Sequence, residues 1–281
     1  MNRFMKVLVA GLGAATLCLS AISGAQADGK LQEVLARGKL IVGTGSTNPP
    51  WHFQDDKGEL VGFDIDIAHI LAKGLFNDPS KVEFVTQSSD ARIPNITTGQ
   101  VDITCQAMTV TAPRAQQVAF TIPYYREGVG LLLPKGGKYA DYNALKSAGS
   151  SVTVAVLQNV YAEDMVHQAL SDAKVDQYDS FDLMYQALNS GRSDAAATDL
   201  SSLRWFMKKN PDKYVDAGYA WNPQTYSCAV KQGDADWLNF VNTALREAMT
   251  GVDFPDYKKS FETWFGVTPP APTPGFPTEM R

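Results

Sequence analysis

The chain has 281 residues, of which 44% are hydrophobic and 20% are charged, with 25 basic and 30 acidic side chains. This composition is that of a globular protein with enough material for one or two real cores, and it excludes a disordered or fibrous chain. The net charge of −5 favours neither nucleic acid nor an anionic membrane as a partner.

Residues 1–27 have the pattern of a secretory signal peptide. Arg3 and Lys6 precede an apolar run, and the tripeptide AQA at 25–27 is a small-residue cleavage site. The residue before Cys18 is not the small one that a lipid anchor would require, and no later apolar run is long enough to span a bilayer. We therefore expect the mature protein to be exported in soluble form.

From Leu31 onward, short apolar strands alternate with amphipathic helices. Apolar side chains recur on one face of the predicted helices 63–75 and 236–249. We predict strands at 39–45, 82–86, 101–105, 130–133, 152–157, 175–178 and 195–198. This alternation indicates βαβ units and an α/β fold with mostly parallel sheets flanked by helices.

Two breaks in composition, at 133–137 and 221–223, divide the mature chain. We predict a first lobe from residues 28–129 and 225–281, and a second lobe from residues 130–224. A chain that leaves one lobe and returns to it makes two crossovers, and two crossovers form a hinge. The proline-rich tail at 269–277 is expected to be an extended strap.

Cys105 and Cys228 are the cysteines that remain after removal of residues 1–27. Two cysteines in an exported chain can form one disulfide, because the compartment is oxidising. Two buried free thiols are the alternative.

The three histidines, His52, His69 and His167, lack the spacing of metal ligands, and we expect each to be structural or solvated. The chain contains no nucleophile elbow, zinc-protease or phosphate-loop motif. No metal, cofactor or nucleophilic catalysis is therefore expected.

Arg114 is the strongest candidate for a binding residue. It follows Thr111 and Pro113, a pattern typical of a helix start, where the helix dipole disfavours a cation. A solvated helix arginine is the ordinary interpretation. The nearby hydroxyls of Thr109 and Thr111 indicate instead a site in which the guanidinium binds a carboxylate.

Three further residues each have two interpretations. Asp199 ends an apolar strand, so it either caps the next helix or binds a ligand at the carboxyl edge of the sheet. Trp51, in TNPPWHF, is either a core residue or the floor of a pocket. Arg92 either pairs with Asp90 or binds a second carboxylate.

Six segments in succession resemble family 3 of the extracellular solute-binding proteins, the periplasmic receptors of polar amino acid ABC transporters. They are GKLIVGTGSTNPPWHF, GELVGFDIDIAHILA, ARIPNITTGQVDITCQAMTVTAPRAQQVAFTIPYY, SVTVAVLQ, LNSGRSDAAATD and YSCAVKQGD. The resemblance implies a two-lobed type II periplasmic binding protein that closes over one amino acid.

The resemblance also implies roles for individual residues. Arg114 would hold the α-carboxylate, with Thr109 and Ala107 beside it, and Asp199 would take the α-amino group. The two cysteines, with RIP upstream, resemble the glutamate/aspartate branch, in which Arg92 would contact a side-chain carboxylate. In that branch the residues that match Cys105 and Cys228 are bridged.

This chain departs from the family pattern in two places. The loop after the first strand has Gly45, Ser46 and Asn48 where the family often has an acidic, basic or aromatic residue. The second lobe has QNVY at 158–161 in place of a QGTT turn, which removes two hydroxyls. Tyr161 is expected either to replace one of them or to fill the pocket.

The resemblance implies a monomeric periplasmic receptor that is not an enzyme, with an amino acid as ligand and a membrane permease as partner. The alternative is an enzyme like the periplasmic cyclohexadienyl dehydratases, for which Glu163 is the nearby acid. A module that reports a ligand to a membrane sensor is a third possibility.

Overall fold

A computed structural model describes residues 29–275. The predicted signal peptide and the last residues of the tail lie outside this range. The helices are α1 Lys30–Arg37, α2 Phe63–Phe76, α3 Arg92–Thr98, α4 Ala112–Ala115, α5 Tyr142–Ala148, α6 Ala162–Ala169, α7 Phe181–Asn189, α8 Leu200–Lys209, α9 Ala235–Thr250 and α10 Phe254–Phe265. The strands are β1 Leu40–Thr44, β2 Thr47–Asn48, β3 His52–Gln54, β4 Leu60–Val61, β5 Val82–Thr86, β6 Ile103–Thr104, β7 Ala119–Phe120, β8 Tyr125–Pro134, β9 Thr153–Leu157, β10 Lys174–Tyr178, β11 Ala195–Asp199, β12 Tyr214–Tyr226 and β13 Ala229–Val230.

The strands form two five-stranded sheets, one in each lobe, and the α/β prediction is confirmed. Lobe 1 has the strand order β5-β1-β6-β13-β7, and lobe 2 has the order β10-β9-β11-β8-β12. A third, small antiparallel sheet, β2-β3-β4, follows β1 in lobe 1.

Each large sheet is mixed rather than mostly parallel. In lobe 1, β1 pairs in parallel with β5 and β6, whereas β13 is antiparallel to both of its neighbours. In lobe 2, β9 pairs in parallel with β10 and β11, whereas β8 and β12 pair antiparallel. The β8–β12 pair is antiparallel because β8 leaves lobe 1 and β12 returns to it, so these two strands run in opposite directions.

The two crossover strands are paired where they pass between the lobes, with Tyr125 opposite Tyr226 and Glu127 opposite Gln224. Tyr226 packs in the lobe 1 core, and Val129 already packs in the lobe 2 core. The predicted lobe boundaries at 129/130 and 224/225 fall within this paired segment.

The break predicted at 221–223 is a bulge inside β12 rather than a gap between elements. The register shifts between Trp221 and Gln224, and Asn222 has a φ of 51°. A bulge accommodates Pro223, which has no backbone N–H for the ladder. Sequence reasoning missed β12 because its asparagine and proline are typical of a loop.

The two lobes have separate cores. The lobe 1 core surrounds Trp51, Phe63 and Trp237 and includes the inward faces of α2 and α9. In lobe 2, buried residues pack on both faces of the sheet.

In the described part of the tail, residues 268–275 form neither helix nor strand.

Cys105 and Cys228 form a disulfide, so the alternative of two free thiols is excluded. Both residues are fully buried, and 123 residues separate them in sequence. The bridge joins the end of β6 to the segment that returns from lobe 2. In the chain-entropy account, closing so long a loop stabilises the fold by roughly 4–5 kcal/mol.

Candidate functional site

A cavity of about 650 Å³ lies between the lobes and is lined by residues of both. Six of the seven residues predicted to bind ligand line it: Arg92, Ala107, Thr109, Arg114, Tyr161 and Asp199. The first four come from lobe 1, and the last two come from lobe 2.

Arg114 lies in α4, which begins as the sequence predicts. The Thr111 hydroxyl accepts a hydrogen bond from the Arg114 amide at 3.4 Å, and Pro113 is in the first turn. The residue is 9% exposed, and its guanidinium Nη1 donates to the Thr109 carbonyl at 2.9 Å. Burial lowers the pKa of Arg114. Within residues 29–275 this is its one side-chain hydrogen bond, so donors remain for a ligand carboxylate.

Thr109 acts on this site mainly through its backbone. Its carbonyl orients Arg114, while its hydroxyl donates to the Gln224 side chain at 3.0 Å. Gln224 belongs to the returning crossover strand β12. The arginine is therefore held next to the hinge.

Arg92 is a second buried cation on the same wall, with 7% of its surface exposed. Its Nε donates to the Ser89 carbonyl at 2.8 Å, and its Nη1 donates to the Gln106 carbonyl at 3.1 Å. Burial and the positive charge of Arg114 lower the pKa of Arg92 to about 10. Two cations that repel each other on one wall of a cavity favour the binding of an anionic group there.

Asp199 faces the cavity from the end of β11. It is the N-cap residue of α8, but its side chain makes no capping hydrogen bond. Glu127 of β8 does so instead, because it accepts from the Ser201 amide at 3.3 Å and from the Gly128 amide at 3.0 Å. The Asp199 carboxylate therefore does not cap the helix, and its side-chain hydrogen-bond partner is Tyr226, which also lines the cavity.

Burial, and secondly the negative charge of Glu127, raise the pKa of Asp199 to about 7. Burial raises the pKa of Glu127 as well. A half-buried carboxylate beside a buried one favours the binding of a cation at this wall. Sequence reasoning missed Glu127, because only the pairing of β8 with β11 and β12 brings it to this helix start.

Tyr161 contacts Arg114 across the cleft, with its ring centroid 5.3 Å from the guanidinium carbon. In the QNVY turn, the Asn159 side chain accepts from the Tyr161 amide at 3.0 Å, and the Asn159 carbonyl accepts from the Ala162 amide at 3.1 Å. The turn therefore satisfies two of its own amides and presents an aromatic face. Glu163, the acid of the enzyme alternative, is exposed and does not line the cavity.

Trp51 is the predicted binding residue that the structure places elsewhere. It is fully buried among aromatic rings of lobe 1 and does not line the cavity. Its Nε1 donates across the cleft to the Ser201 hydroxyl at 2.9 Å. Close by, the Ser202 hydroxyl donates to the Asn48 side chain at 3.0 Å. These two bonds connect α8 of lobe 2 with lobe 1.

His52 lines the cavity and is 4% exposed, although the sequence indicated a structural or solvated residue. Its Nδ1 lies 2.8 Å from a carboxylate oxygen of Asp64, which is fully buried in the first turn of α2. Asp64 also accepts from the Tyr124 hydroxyl at 2.7 Å and from the Ala107 amide at 2.9 Å. Burial raises the pKa of Asp64, and these donors oppose the rise.

Ala107 lies where this network meets the cavity, with a φ of 43°. Its amide is occupied by Asp64, so it has its carbonyl and methyl group left for a ligand. No single motif in the sequence connects His52, Asp64 and Tyr124, and the network was therefore not predicted.

Residues 29–275 contain no cluster of three or more histidine, cysteine or acidic side chains that could hold a metal ion. In the same range, no helix combines the length and the apolar character needed to cross a bilayer.

Residues 40–267 match the model of the bacterial extracellular solute-binding proteins, family 3. The chain is 30% identical over 240 residues to the L-cystine-binding protein TcyJ of Escherichia coli strain K12, which covers 85% of this chain and 87% of the relative. It is 28% identical over 272 residues to the glutamate/aspartate import solute-binding protein of Salmonella typhimurium strain LT2, which covers 92% and 86%. Similar identities to proteins with different ligands do not favour the glutamate/aspartate branch.

Among solved structures, the chain is similar to the ancestral amino acid-binding protein AncCDT-1, described as a precursor of cyclohexadienyl dehydratase. The identity is 33% and the TM-score is 0.75, and the match covers 84% of this chain and 99% of the other. This structural relative is named for amino acid binding, and so are the family relatives above. The enzyme alternative is therefore not favoured.

Proposed function

The chain belongs to family 3 of the bacterial extracellular solute-binding proteins, and from that premise we propose that it is the periplasmic receptor of an amino acid ABC transporter. It captures one polar amino acid between its lobes and delivers the amino acid to a membrane permease. The relatives named for binding cystine or acidic amino acids support an amino acid as the ligand.

One observation carries this proposal: Arg114 of lobe 1 and Asp199 of lobe 2 line the same cavity with opposite charges. A free α-amino acid has a carboxylate and an ammonium group on adjacent atoms. A bidentate guanidinium contact suits the carboxylate, and the Asp199 carboxylate, which has no ion-pair partner within residues 29–275, suits the ammonium. Either group alone, left buried without its counter-charge, is costly.

Arg114 is prepared for the carboxylate by its neighbours. The Thr109 carbonyl holds one nitrogen of the guanidinium, and the Tyr161 ring covers the group from lobe 2. An aromatic face attracts the cation and excludes water, so a hydrogen bond to the ligand is worth more there than at an exposed site.

Arg92 extends the positive wall away from Arg114 and gives the ligand side chain a polar partner. This arrangement supports a polar side chain, and a carboxylate is one candidate. An arginine or lysine ligand is disfavoured, because its cationic end would approach a buried guanidinium.

Closure of the lobes completes the site, because its charges come from both sides of the cleft. The paired crossover segments of β8 and β12 are the hinge, and the Trp51 to Ser201 and Asn48 to Ser202 hydrogen bonds hold the lobes together. The bound amino acid is then enclosed, and its charges stabilise the closed state.

A thermal-shift screen of the mature protein against the twenty amino acids tests the proposal. A ligand present at 100 times its dissociation constant stabilises the native state by about 2.7 kcal/mol, which is a shift of several degrees. We expect one or a few polar amino acids to produce this shift. If no amino acid raises the midpoint while the protein remains folded, the proposed function is wrong.

A further inference from the structure

We propose that His52 determines which side chain the cavity accepts, and that its free ring nitrogen selects an uncharged carboxamide side chain. This inference rests on the proposed function, because it assigns the part of an amino acid that lies beyond its α-carboxylate and α-ammonium groups. His52 Nε2 would accept a hydrogen bond from the NH₂ group of the side chain, and lobe 1 donors would bind its carbonyl oxygen.

The small hairpin of β2 and β3 brings two polar side chains to the cavity. Asn48 and His52 are directly opposite each other in this antiparallel pair. Opposite residues in such a pair place their side chains on the same face, with their Cβ atoms about 5 Å apart. Asn48 is 2% exposed and His52 is 4% exposed, and both line the cavity. They are therefore neighbouring polar groups on one wall.

Gly45 makes room for the imidazole. A methyl group at Gly45 would lie 2.7 Å from Cδ2 and 3.0 Å from Nε2 of His52, and 3.0 Å from Nε2 of Gln106. Gly45 is not among the glycines with a positive φ, so backbone conformation does not explain it. The space that a side chain at position 45 would enter is filled by the edge of His52 instead. The loop after β1 lacks the charged or aromatic side chain that the family often has there. In this chain His52, on the second strand of the hairpin, places a polar group in that space instead.

The proton positions on the imidazole follow from its partner. Asp64 accepts hydrogen bonds from Tyr124 and Ala107, and Nδ1 of His52 lies 2.8 Å from the Asp64 oxygen that accepts from Ala107. An ionised carboxylate can only accept, so Nδ1 of His52 carries a hydrogen. In the neutral ring, Nε2 is then an acceptor. Within residues 29–275, Nε2 of His52 makes no hydrogen bond, and His52 lines the cavity.

Two further side chains on this wall offer donors. The Asn48 carbonyl oxygen is occupied by the Ser202 hydroxyl, which leaves the Asn48 NH₂ group for a ligand. Arg92 uses Nε and Nη1 on backbone carbonyls, which leaves Nη2. One acceptor beside two donors complements a carboxamide, which has both kinds of group.

Other side chains match this wall less well. A carboxylate has no hydrogen to give Nε2 and would place its own lone pairs against it. An apolar side chain of equal length would leave Nε2 desolvated and unpaired, and an unpaired buried polar group costs more than a formed hydrogen bond gains. A carboxylate side chain would be attracted by the positive charge of Arg92 but repelled by the lone pair on Nε2 of His52. Measured affinities for both ligands decide which effect is larger.

The test is calorimetric titration with L-glutamine, L-glutamate and L-methionine at pH 8. We expect the unmodified protein to bind glutamine more tightly than either of the other two. His52→Asn retains an NH₂ group near the position of Nδ1, and so a bond to Asp64, but has no atom at the position of Nε2. This variant should lose about tenfold of the preference for glutamine over methionine, as expected for one buried hydrogen bond.

Gly45→Ala is the second variant, and it retains His52. The added methyl group would displace the imidazole from the cavity wall, so glutamine affinity should fall several-fold more than methionine affinity. Circular dichroism should show both variants folded. If His52→Asn does not fold, the Gly45→Ala result decides.

Three outcomes overturn the inference and leave the proposed function intact. They are tighter binding of glutamate than glutamine, binding only of amino acids without a carboxamide, and an unchanged glutamine-to-methionine ratio in the folded variants. Failure of the unmodified protein to bind any of the twenty amino acids is a different result, since it removes the proposed function itself.

Discussion

Lobe 1 and lobe 2 bring opposite charges to the cavity and hold them in different ways. In lobe 1, Arg92 and Arg114 donate to backbone carbonyls. In lobe 2, Asp199 faces the cavity without a capping bond, and Glu127 repels it. The lobe 1 cations are therefore oriented in advance, whereas the Asp199 carboxylate has a raised pKa and lacks a cation.

This difference gives each lobe a distinct role. Lobe 1 is cross-linked by the disulfide, and under the proposed function it would hold the ligand carboxylate and side chain at fixed positions. Lobe 2 would be drawn towards that ligand, because the ammonium group would relieve the repulsion between Asp199 and Glu127. A zwitterion therefore stabilises the closed arrangement more than an anion or a cation alone.

Removing the disulfide should weaken lobe 1. We expect Cys105→Ser with Cys228→Ser to lower the free energy of unfolding by roughly 4 kcal/mol, because the unfolded chain regains the entropy of a 123-residue loop. Urea unfolding followed by fluorescence measures the change. Reduction of the unmodified protein with dithiothreitol should give the same loss. Equal stability of the bridged and unbridged forms would show that the closed loop contributes nothing.

Truncating the main cation of lobe 1 should remove binding while leaving the fold intact. Arg114→Ala should weaken amino acid affinity at least about 100-fold, since it removes a charge-assisted contact at a buried site. Arg246 is exposed on α9 and makes no side-chain hydrogen bond within residues 29–275, so Arg246→Ala is the matched control. Calorimetry measures both. Retained affinity in Arg114→Ala would assign that arginine a structural role.

Neutralising Asp199 should stabilise the ligand-free protein at alkaline pH. The pKa of Asp199 in the folded protein, about 7, exceeds the ordinary value of 3.8. Its contribution to the free energy of unfolding is therefore fully present below pH 3.8 and is lost as pH rises through 7. Asp199→Asn should thus raise the free energy of unfolding at pH 8 by on the order of 2 kcal/mol, after allowance for partial exposure, and by little at pH 4.

The same substitution should abolish amino acid binding, because the ammonium group loses its counter-charge. Asp212, whose side chain is 98% exposed, provides the control Asp212→Asn, which should change neither property. Thermal unfolding at several pH values, with and without ligand, separates the two effects. A stability difference that is independent of pH would contradict the raised pKa.

Removing one bond between the lobes should shift the balance between open and closed forms slightly. Ser201→Ala leaves the Trp51 N–H without its acceptor, at a cost of about 1 kcal/mol. Small-angle X-ray scattering of the ligand-free variant should show a larger radius of gyration than the unmodified protein. Ser202→Ala removes the neighbouring bond to Asn48, and the double variant should open further. No change in either would mean that these bonds do not hold the lobes.

Helices and the position of Arg114 at the start of α4 could be predicted because their signals are local. The apolar periodicity of α2 and α9 follows from 3.6 residues per turn, and both elements agree with the prediction to within a residue at each end. The start of α4 was recognisable from Thr111 and Pro113, since capping involves residues close in sequence.

Sequence reasoning failed where a residue has two plausible environments. Trp51 and His52 are adjacent in one loop, but the tryptophan is enclosed by lobe 1 aromatics and the histidine faces the cavity. The capping role expected as one alternative for Asp199 belongs to Glu127, which lies 72 positions away in the numbering of the chain. Neither assignment follows from local pattern.

The sequence by itself determined the α/β architecture, the pair of cysteines and the arginine at the start of α4, because propensity, periodicity and capping depend on neighbours in the chain. The tertiary structure alone decided that Asp64 orients His52, that Glu127 frees Asp199, and that Tyr161 covers Arg114. Each of these contacts joins segments brought together by sheet pairing or lobe closure, and the burial that gives the charges their effect exists only after folding.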